Sequence, residues 1–380
     1  MNRRSLVSLL AVATLMSWAL ATPAKDRHGR GTGGAVYTTT NAADDNQVVI
    51  FERDQDGLLT LAGSVSTQGA GSGGNLDPLG SQGSLVLSDD NRWLLAANAG
   101  SNEISVFRVK RDGLELTDKV ASGGEFPVSL SVLHDLVYVL NAGGDPNITG
   151  FYLTHRGRLI PYARSTRYLG SGGYAQVGFD PGGDNLVVTD RDENEILVFP
   201  LGRRGLPARR PATSASNGIA PFGFVFDDSG HLVVAEAGSG AISSYAIKRD
   251  GSLRVISPSV ENGQVATCWI SKNHEGYVYT ANTGSQTLSS YRLVTGKDGH
   301  HKKWNFGGAD SGKIELLDPT AGFGNRPIDM DVSANGRFLY ALDPGSQTID
   351  MFAIEADGSL TDLGTVPGGL SIFAQGIAAR

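Results

Sequence analysis

Cysteine is nearly absent from this chain. Cys268, the single copy, can form no internal disulfide, which excludes a stapled secreted scaffold. It sits in Thr267-Cys268-Trp269-Ile270, an apolar strand pattern, and reads as a buried structural thiol. Long apolar runs are missing too. The one candidate, Leu6 to Leu20, is too short and too interrupted to span a membrane. Positive charge is not in excess: 32 Lys and Arg face 39 Asp and Glu, a net charge of −7. That balance argues against nucleic acid and anionic membrane surface as partners, and gives no global attraction for acidic substrates. No G-x-S-x-G occurs with a supporting triad, so serine hydrolase chemistry has no motif. The Gly69 to Gly74 run has no lysine and no following helix; it reads as a flexible loop rather than a phosphate cradle. In Gly299-His300-His301-Lys302-Lys303 the adjacent histidines point apart on an extended chain, so this long insertion reads as a solvated loop without metal. The sequence asks for no metal and no cofactor.

Glycine is abundant, with 51 residues, and it punctuates a repeat. Asn98-Ala99-Gly100-Ser101-Asn102 follows the apolar run Trp93 to Ala97 and precedes a short strand ending at Phe107. The same arrangement recurs before Tyr245, Tyr291 and Phe352, and more weakly before Phe51, Phe151 and Phe199. These seven aromatic anchors lie roughly 45 to 60 residues apart, each with several short strand signals, which is the pattern of a β-propeller. The repeat predicts an all-β, seven-bladed propeller of four-stranded blades. In the fifth blade the strands run from Pro221 to Phe226, Leu232 to Glu236, Ile242 to Ile247 and from Leu253 onward. Asp56-Gly57, Asp112-Gly113, Asp250-Gly251 and Asp357-Gly358 read as two-residue hairpin turns, with Arg156-Gly157 and Arg204-Gly205 as degenerate copies. Ala35 to Thr39 reads as a second strand, and Ala374 to Ala378 as a first strand. The C-terminal strand is therefore expected to complete the first blade and close the ring, leaving only short outer edges.

The expected organisation is a signal peptide over 1–21, a disordered leader over 22–33 and the propeller over 34–380. Arg3-Arg4, the apolar stretch after it and Ala19-Leu20-Ala21 have the form of an export signal, with Sec and twin-arginine routes both open. Its removal leaves 30 basic against 39 acidic side chains, a balance of −9. Export places the mature chain in the periplasm or outside the cell, with no stable membrane insertion. The Asn147-Ile148-Thr149 sequon reads as part of a blade turn. Oligomeric state is not legible.

The repeat resembles the β-propeller lactonase family, which includes bacterial 6-phosphogluconolactonases and fungal 3-carboxymuconate cyclases. The residues that carry the resemblance are Trp93 to Asn102, Tyr277 to Ser285 and Ser333 to Tyr340. It implies a site near the central mouth, with His and Arg from inner strands of the middle blades and a Glu ending a second strand. Here Gln176 and the Pro221-Phe222-Gly223 segment stand where the basic residues are expected; only Glu236 matches. Without that charge clamp, the resemblance points to a weakly charged cyclic ester rather than a phosphorylated or polycarboxylated one.

Polar residues at the ends of first and second strands are the site candidates. From first strands come Gln82, Gln176, Asp329 and Gln375; from second-strand ends come Asn98, Asn141, Asp190, Arg191, Glu236, Asn282 and Asp343. For most of the Asn and Asp residues turn capping competes with ligand binding, and Asp190-Arg191 also reads as a local ion pair. Lactone hydrolysis needs a base to activate water and a donor for the oxyanion. Glu236 is the expected base, with Gln176 or Arg191 as donor. A cycloisomerase would use the same base. The predicted partner is a small lactone or carbohydrate-like ligand. The competing class is a non-catalytic secreted propeller for binding or adhesion at the cell surface.

Overall fold

The structure, a computed structural model, describes residues 33–294 and 311–380. The expected signal peptide, nearly all of the leader and the His300-His301 segment lie outside the described residues. Among the described residues, no helix is long and apolar enough to cross a membrane.

Seven antiparallel sheets follow one another along the chain. The fifth blade is Pro221–Phe226, Leu232–Glu236, Ala241–Ile247 and Leu253–Glu261, within a residue of the expected starts. Apolar residues occupy both faces of the second and third strands because each blade packs a neighbour on either side. Leu232 to Glu236 is buried throughout. All seven aromatic anchors lie on third strands and are buried, none more than 3% exposed. Each fills the space between adjacent blades, as Phe151 does with Trp93, Leu95 and Val106. Burying a Phe side chain in this way contributes about 1.5–3 kcal/mol.

The third blade departs from four strands. Its outer edge is split into Leu159–Pro161 and Arg167–Tyr168, both paired to Asn147–Leu153. Between them the chain bows outward, with Ser165 Oγ accepting from Gly150 N at 2.9 Å. The Asn147 sequon lies in this third strand rather than a turn. Asn147 is 3% exposed and bonded to Asn141 and Thr149, so it offers no glycan attachment point.

The ring closes as the sequence predicts. Gln375–Ala379 pairs with Gly34–Thr39 and becomes the inner strand of the first blade. Thr38 and Thr39 hydroxyls donate to the carbonyls of Gly376 (2.7 Å) and Gln375 (2.6 Å). Ala379 N donates to Asp331 Oδ2 at 2.8 Å, tying the closing strand to the seventh blade.

The outer hairpins are not two-residue turns of the expected kind. Asp54 N donates to Leu58 O and Gly57 N to Asp54 O, a bend in which only glycine is left-handed (φ 89°). The same pair of bonds recurs around Thr154, Lys248 and Glu355. At Asp112-Gly113 the two turn residues are Arg111 and Asp112, because Lys110 already faces Gly113. Glycine is required at position 57 twice over: for its φ, and because a Cβ there would enter the Phe338 ring of the seventh blade. The backbone then docks, with Tyr340 Oη donating to Gly57 O at 2.8 Å; Tyr279 to Gly358 O and Tyr138 to Gly205 O repeat the contact.

Candidate functional site

The second strand of each blade sits one strand out from the channel, so its last side chain points between blades. The structure makes these residues structural knots. Glu236 is fully buried. Its Oε1 accepts from Gly218 N (2.7 Å), Ser243 Oγ (2.8 Å), Ser216 Oγ (2.9 Å) and Tyr245 Oη (3.3 Å), and its Oε2 from Ser259 Oγ (2.7 Å). A carboxylate so fully buried and bonded by five donors serves the fold, unlike the solvent-facing base expected from sequence. Asn98 holds Ser105, Asn46 and Thr67; Asn282 holds Thr267, Ser289 and Asn262. Asn141 donates to Asn147 Oδ1. Asp190 accepts from the backbone N–H groups of Gly173, Asp192 and Glu193, so it makes no ion pair with Arg191. Asp343 caps Ser346 N and Asn325 N and pairs with Asp350. All these side chains serve turns between strands and blades instead of a ligand at the channel.

Of the first-strand candidates, Gln82, Gln176 and Asp329 line a cavity in the channel while Gln375 is fully buried, and the two glutamines lining it are committed. Gln82 reaches across it, accepting from Ile270 N (3.0 Å) and donating to Ile270 O (2.8 Å). Gln176 makes the same paired contact with Phe224 N (2.7 Å) and O (3.1 Å). Below these bars lies a cavity of about 440 Å³, lined by Gln82, Gln176, Asp329, Asp331 and Ser271 among others. Burial pushes the Asp329 carboxyl well above the usual range, helped by Asp331 beside it. Asp331 itself is raised to about 7, again by burial. Among the described residues, no cluster of three His, Cys, Asp or Glu side chains is placed to hold a metal.

The mouth itself is built by a segment that the sequence reads as a loose loop. The Gly69 to Gly74 run is clamped rather than flexible: Gly71 N and Gly73 N donate to Ala42 O and Asn41 O, and Gly100 N to Ala70 O. The chain then crosses the mouth between residues 77 and 82. Ser81 Oγ donates to Val128 O (2.8 Å), Gln82 N to Ala175 O (3.1 Å), and Trp269 Nε1 to Ser81 O (3.0 Å). Arg191 Nη1 donates to Gly80 O at 2.6 Å, with its guanidinium over the Phe222 ring.

This crossing segment carries Asp77, a residue that sequence reasoning missed. Asp77 is half-buried and left-handed (φ 49°), an unfavourable backbone state that clusters at functional sites. Its Oδ1 accepts from Gly80 N (3.0 Å) and Gln375 Nε2 (3.1 Å). Burial raises its carboxyl to about 7, against the lowering pull of the Gln375 bond and the Arg191 charge. Gln375 is fully buried, and its Oε1 has no donor among the described residues. Cys268 lies close enough to feel both charges, yet burial pushes its thiol up to about 12, so it is no nucleophile. Asp77, Arg191 and Gln375 thus bring a carboxyl poised near neutrality, a cation and an amide to one place. The only sequence signal was a polar Asp-Pro step after the glycine run.

Comparison with known proteins agrees with this architecture. Residues 33–159 match the family model described as lactonase, seven-bladed β-propeller. No curated protein matches the chain in sequence. Among solved structures it is similar to the periplasmic gluconolactonase of Pseudomonas aeruginosa, at 18% identity and TM-score 0.65 over 89% of this chain and 97% of that one. A candidate 6-phosphogluconolactonase from Bacteroides fragilis aligns at 16% identity and TM-score 0.69, over 91% and 97%. A virginiamycin B lyase from Staphylococcus aureus aligns at 14% identity and TM-score 0.56, over 80% and 91%. The chain therefore resembles the seven-bladed β-propeller lactonases, in sequence pattern over residues 33–159 and in fold over nearly all that is described.

Proposed function

We propose that this chain is an exported lactonase-type hydrolase acting on a small cyclic ester at the mouth of the propeller. The observation that carries this reading is Asp77, half-buried and raised to about 7, set between the Gln375 amide and the Arg191 guanidinium. A general base works best with a pKa near the working pH. In its ionised form Asp77 takes a proton from water as the water oxygen attacks the lactone carbonyl. The guanidinium of Arg191, half-exposed beside it, stabilises the oxyanion. Collapse of the tetrahedral intermediate breaks the acyl–oxygen bond, and Asp77 returns its proton to the departing ring oxygen. The product is the open hydroxy acid. Gln375 holds Asp77 in place through its Nε2. The family match supports the reaction class, and the form of residues 1–21 supports export.

One observation favours a non-catalytic binding role instead: Glu236 and Gln176, the positions nearest the family's expected site, are both fully committed to structure. A panel of aliphatic, sugar and aromatic lactones, tested with the mature chain and with Asp77→Asn, separates the two. Hydrolysis that falls at least a hundredfold in Asp77→Asn supports the catalytic reading. Absence of hydrolysis across the panel supports the binding reading.

A further inference from the structure

Beside the mouth lies a second cleft of about 330 Å³ on the same face. Leu76, Pro344 and Ile372 form an apolar wall, while Arg326, Gln286 and Gln347 supply the polar side. It adjoins the proposed site on two sides in the chain: Leu76 directly precedes Asp77, and Ile372 lies three residues before Gln375.

The polar side is exposed to solvent and its side chains are uncommitted. Arg326 makes no ion pair or hydrogen bond with any described residue, and neither do the side chains of Gln286 and Gln347. Comparison between blades sharpens this. The turn after the second strand needs one left-handed residue. Asn102 fills it in the second blade (φ 59°), Asn194 in the fourth (φ 56°) and Gly240 in the fifth (φ 59°). Both asparagines use their side chains to cap the next loop, Asn102 on Phe126 N and Asn194 on Ala220 N, each at 2.7 Å. In the sixth and seventh blades the same position is Gln286 (φ 62°) and Gln347 (φ 61°). Glutamine adopts this conformation less readily than Asn or Gly, and neither glutamine makes the cap. Arg326 is left-handed as well (φ 72°). In Gln286 and Gln347 that conformation serves the turn, with Gly324 N donating to Gln286 O (3.2 Å) and Gln347 N to Pro344 O (3.3 Å), while both side chains and that of Arg326 stay uncommitted and line one cleft.

We propose that this cleft is a recognition subsite for an organic carboxylate with an apolar alkyl or aryl body. The body packs on Leu76, Pro344 and Ile372. The carboxylate pairs with the Arg326 guanidinium, and the two glutamine amides donate to its free lone pairs or to neighbouring hydroxyls. A single cation matches a single anionic group. As the neighbour of Asp77, the subsite selects lactones that carry such a group outside the ring; this extension rests on the function proposed above.

The test is titration calorimetry of the mature protein with 4-phenylbutyrate and with 4-phenylbutanamide, its neutral isostere. The carboxylate is expected to bind about tenfold more tightly than the amide, the size of one charge-assisted contact. Arg326→Gln lowers carboxylate affinity to the amide's level, and Leu76→Ser weakens both ligands. With lactones, Arg326→Gln raises KM about tenfold for a carboxylate-bearing substrate, leaves kcat within twofold and leaves a neutral lactone unchanged. Equal binding of carboxylate and amide, or an Arg326→Gln protein that binds like the parent, overturns the proposal. Binding through Arg326 without any hydrolysis supports the cleft and removes the catalytic reading; hydrolysis of both lactone types indifferent to Arg326 does the reverse.

Discussion

Replacing Asp350 by Asn should make the protein more stable at pH 8. Asp350 and Asp343 face each other between two strands of the seventh blade, 4% and 1% exposed. Thr348 Oγ1 donates to Asp350 Oδ1 at 3.2 Å, and Asp350 Oδ2 has no other donor. With both groups ionised, that oxygen faces a second carboxylate; one shared proton turns the contact into a hydrogen bond. Burial, then the Asp343 charge, raises Asp350 to about 7 from an ordinary 3.8, and Asp362 adds to the effect. Because the folded carboxyl holds its proton more tightly than the unfolded one, stability is greatest below about pH 4. It declines as pH rises between about 4 and 7, and the full loss, about 4 kcal/mol, is reached above that window. Between pH 5 and pH 8 the change is on the order of 2–3 kcal/mol. Asn cannot ionise, so it escapes this loss. Urea unfolding of the parent and Asp350→Asn at both pH values should therefore show the variant gaining on the order of 2–3 kcal/mol relative to the parent on going to pH 8. The raised carboxyls away from this pair, Asp77 and Asp331, are present in both proteins and cancel. A gap that stays constant or narrows with pH would refute the shared-proton account.

Other outcomes follow from the fold. Gly57→Ala should cost more stability than Gly230→Ala, because both positions are left-handed (φ 89° and 83°) but only position 57 meets an aromatic ring; chemical denaturation measures the difference, expected at about 1 kcal/mol or more. Removing residues 375–380 strips the inner strand of the first blade together with its threonine and Asp331 links. The truncated chain should unfold at lower temperature and be cleaved faster by protease near residues 34–39. Glu236→Gln should lose about 1–3 kcal/mol of stability, since five donors converge on that carboxylate, while hydrolysis per folded molecule stays unchanged.

The propeller was readable because its information is local and repeated. One aromatic per unit, a fixed turn and an apolar run report strand position without knowledge of distant contacts. Ring closure was readable from Ala374 to Ala378 for the same reason. The hairpins misled because an Asp-Gly pair does not say whether one residue or both must be left-handed, and at position 57 the ring of Phe338 decides. The positions of the mouth candidates were not legible for a geometric reason. Strand alternation shows that Asn98, Glu236 and Asn282 sit at strand ends, but not that those ends point between blades rather than into the channel. Asp77 was invisible because its partner Gln375 is 298 residues away, and because the segment holding it has no periodicity to mark it as ordered.

The proposed mechanism makes Asp77, rather than Glu236, the base at the mouth. The most direct test is the pH profile of lactone hydrolysis for the parent, Asp77→Asn and Glu236→Gln. Asn tolerates the left-handed backbone at position 77, so the fold should survive that substitution. With Asp77 as base, kcat/KM of the parent rises with pH to a plateau above about 7, Glu236→Gln keeps this profile, and Asp77→Asn loses both the rate and the inflection. An Asp77→Asn enzyme that hydrolyses lactones with the parent's rate and profile would contradict the mechanism.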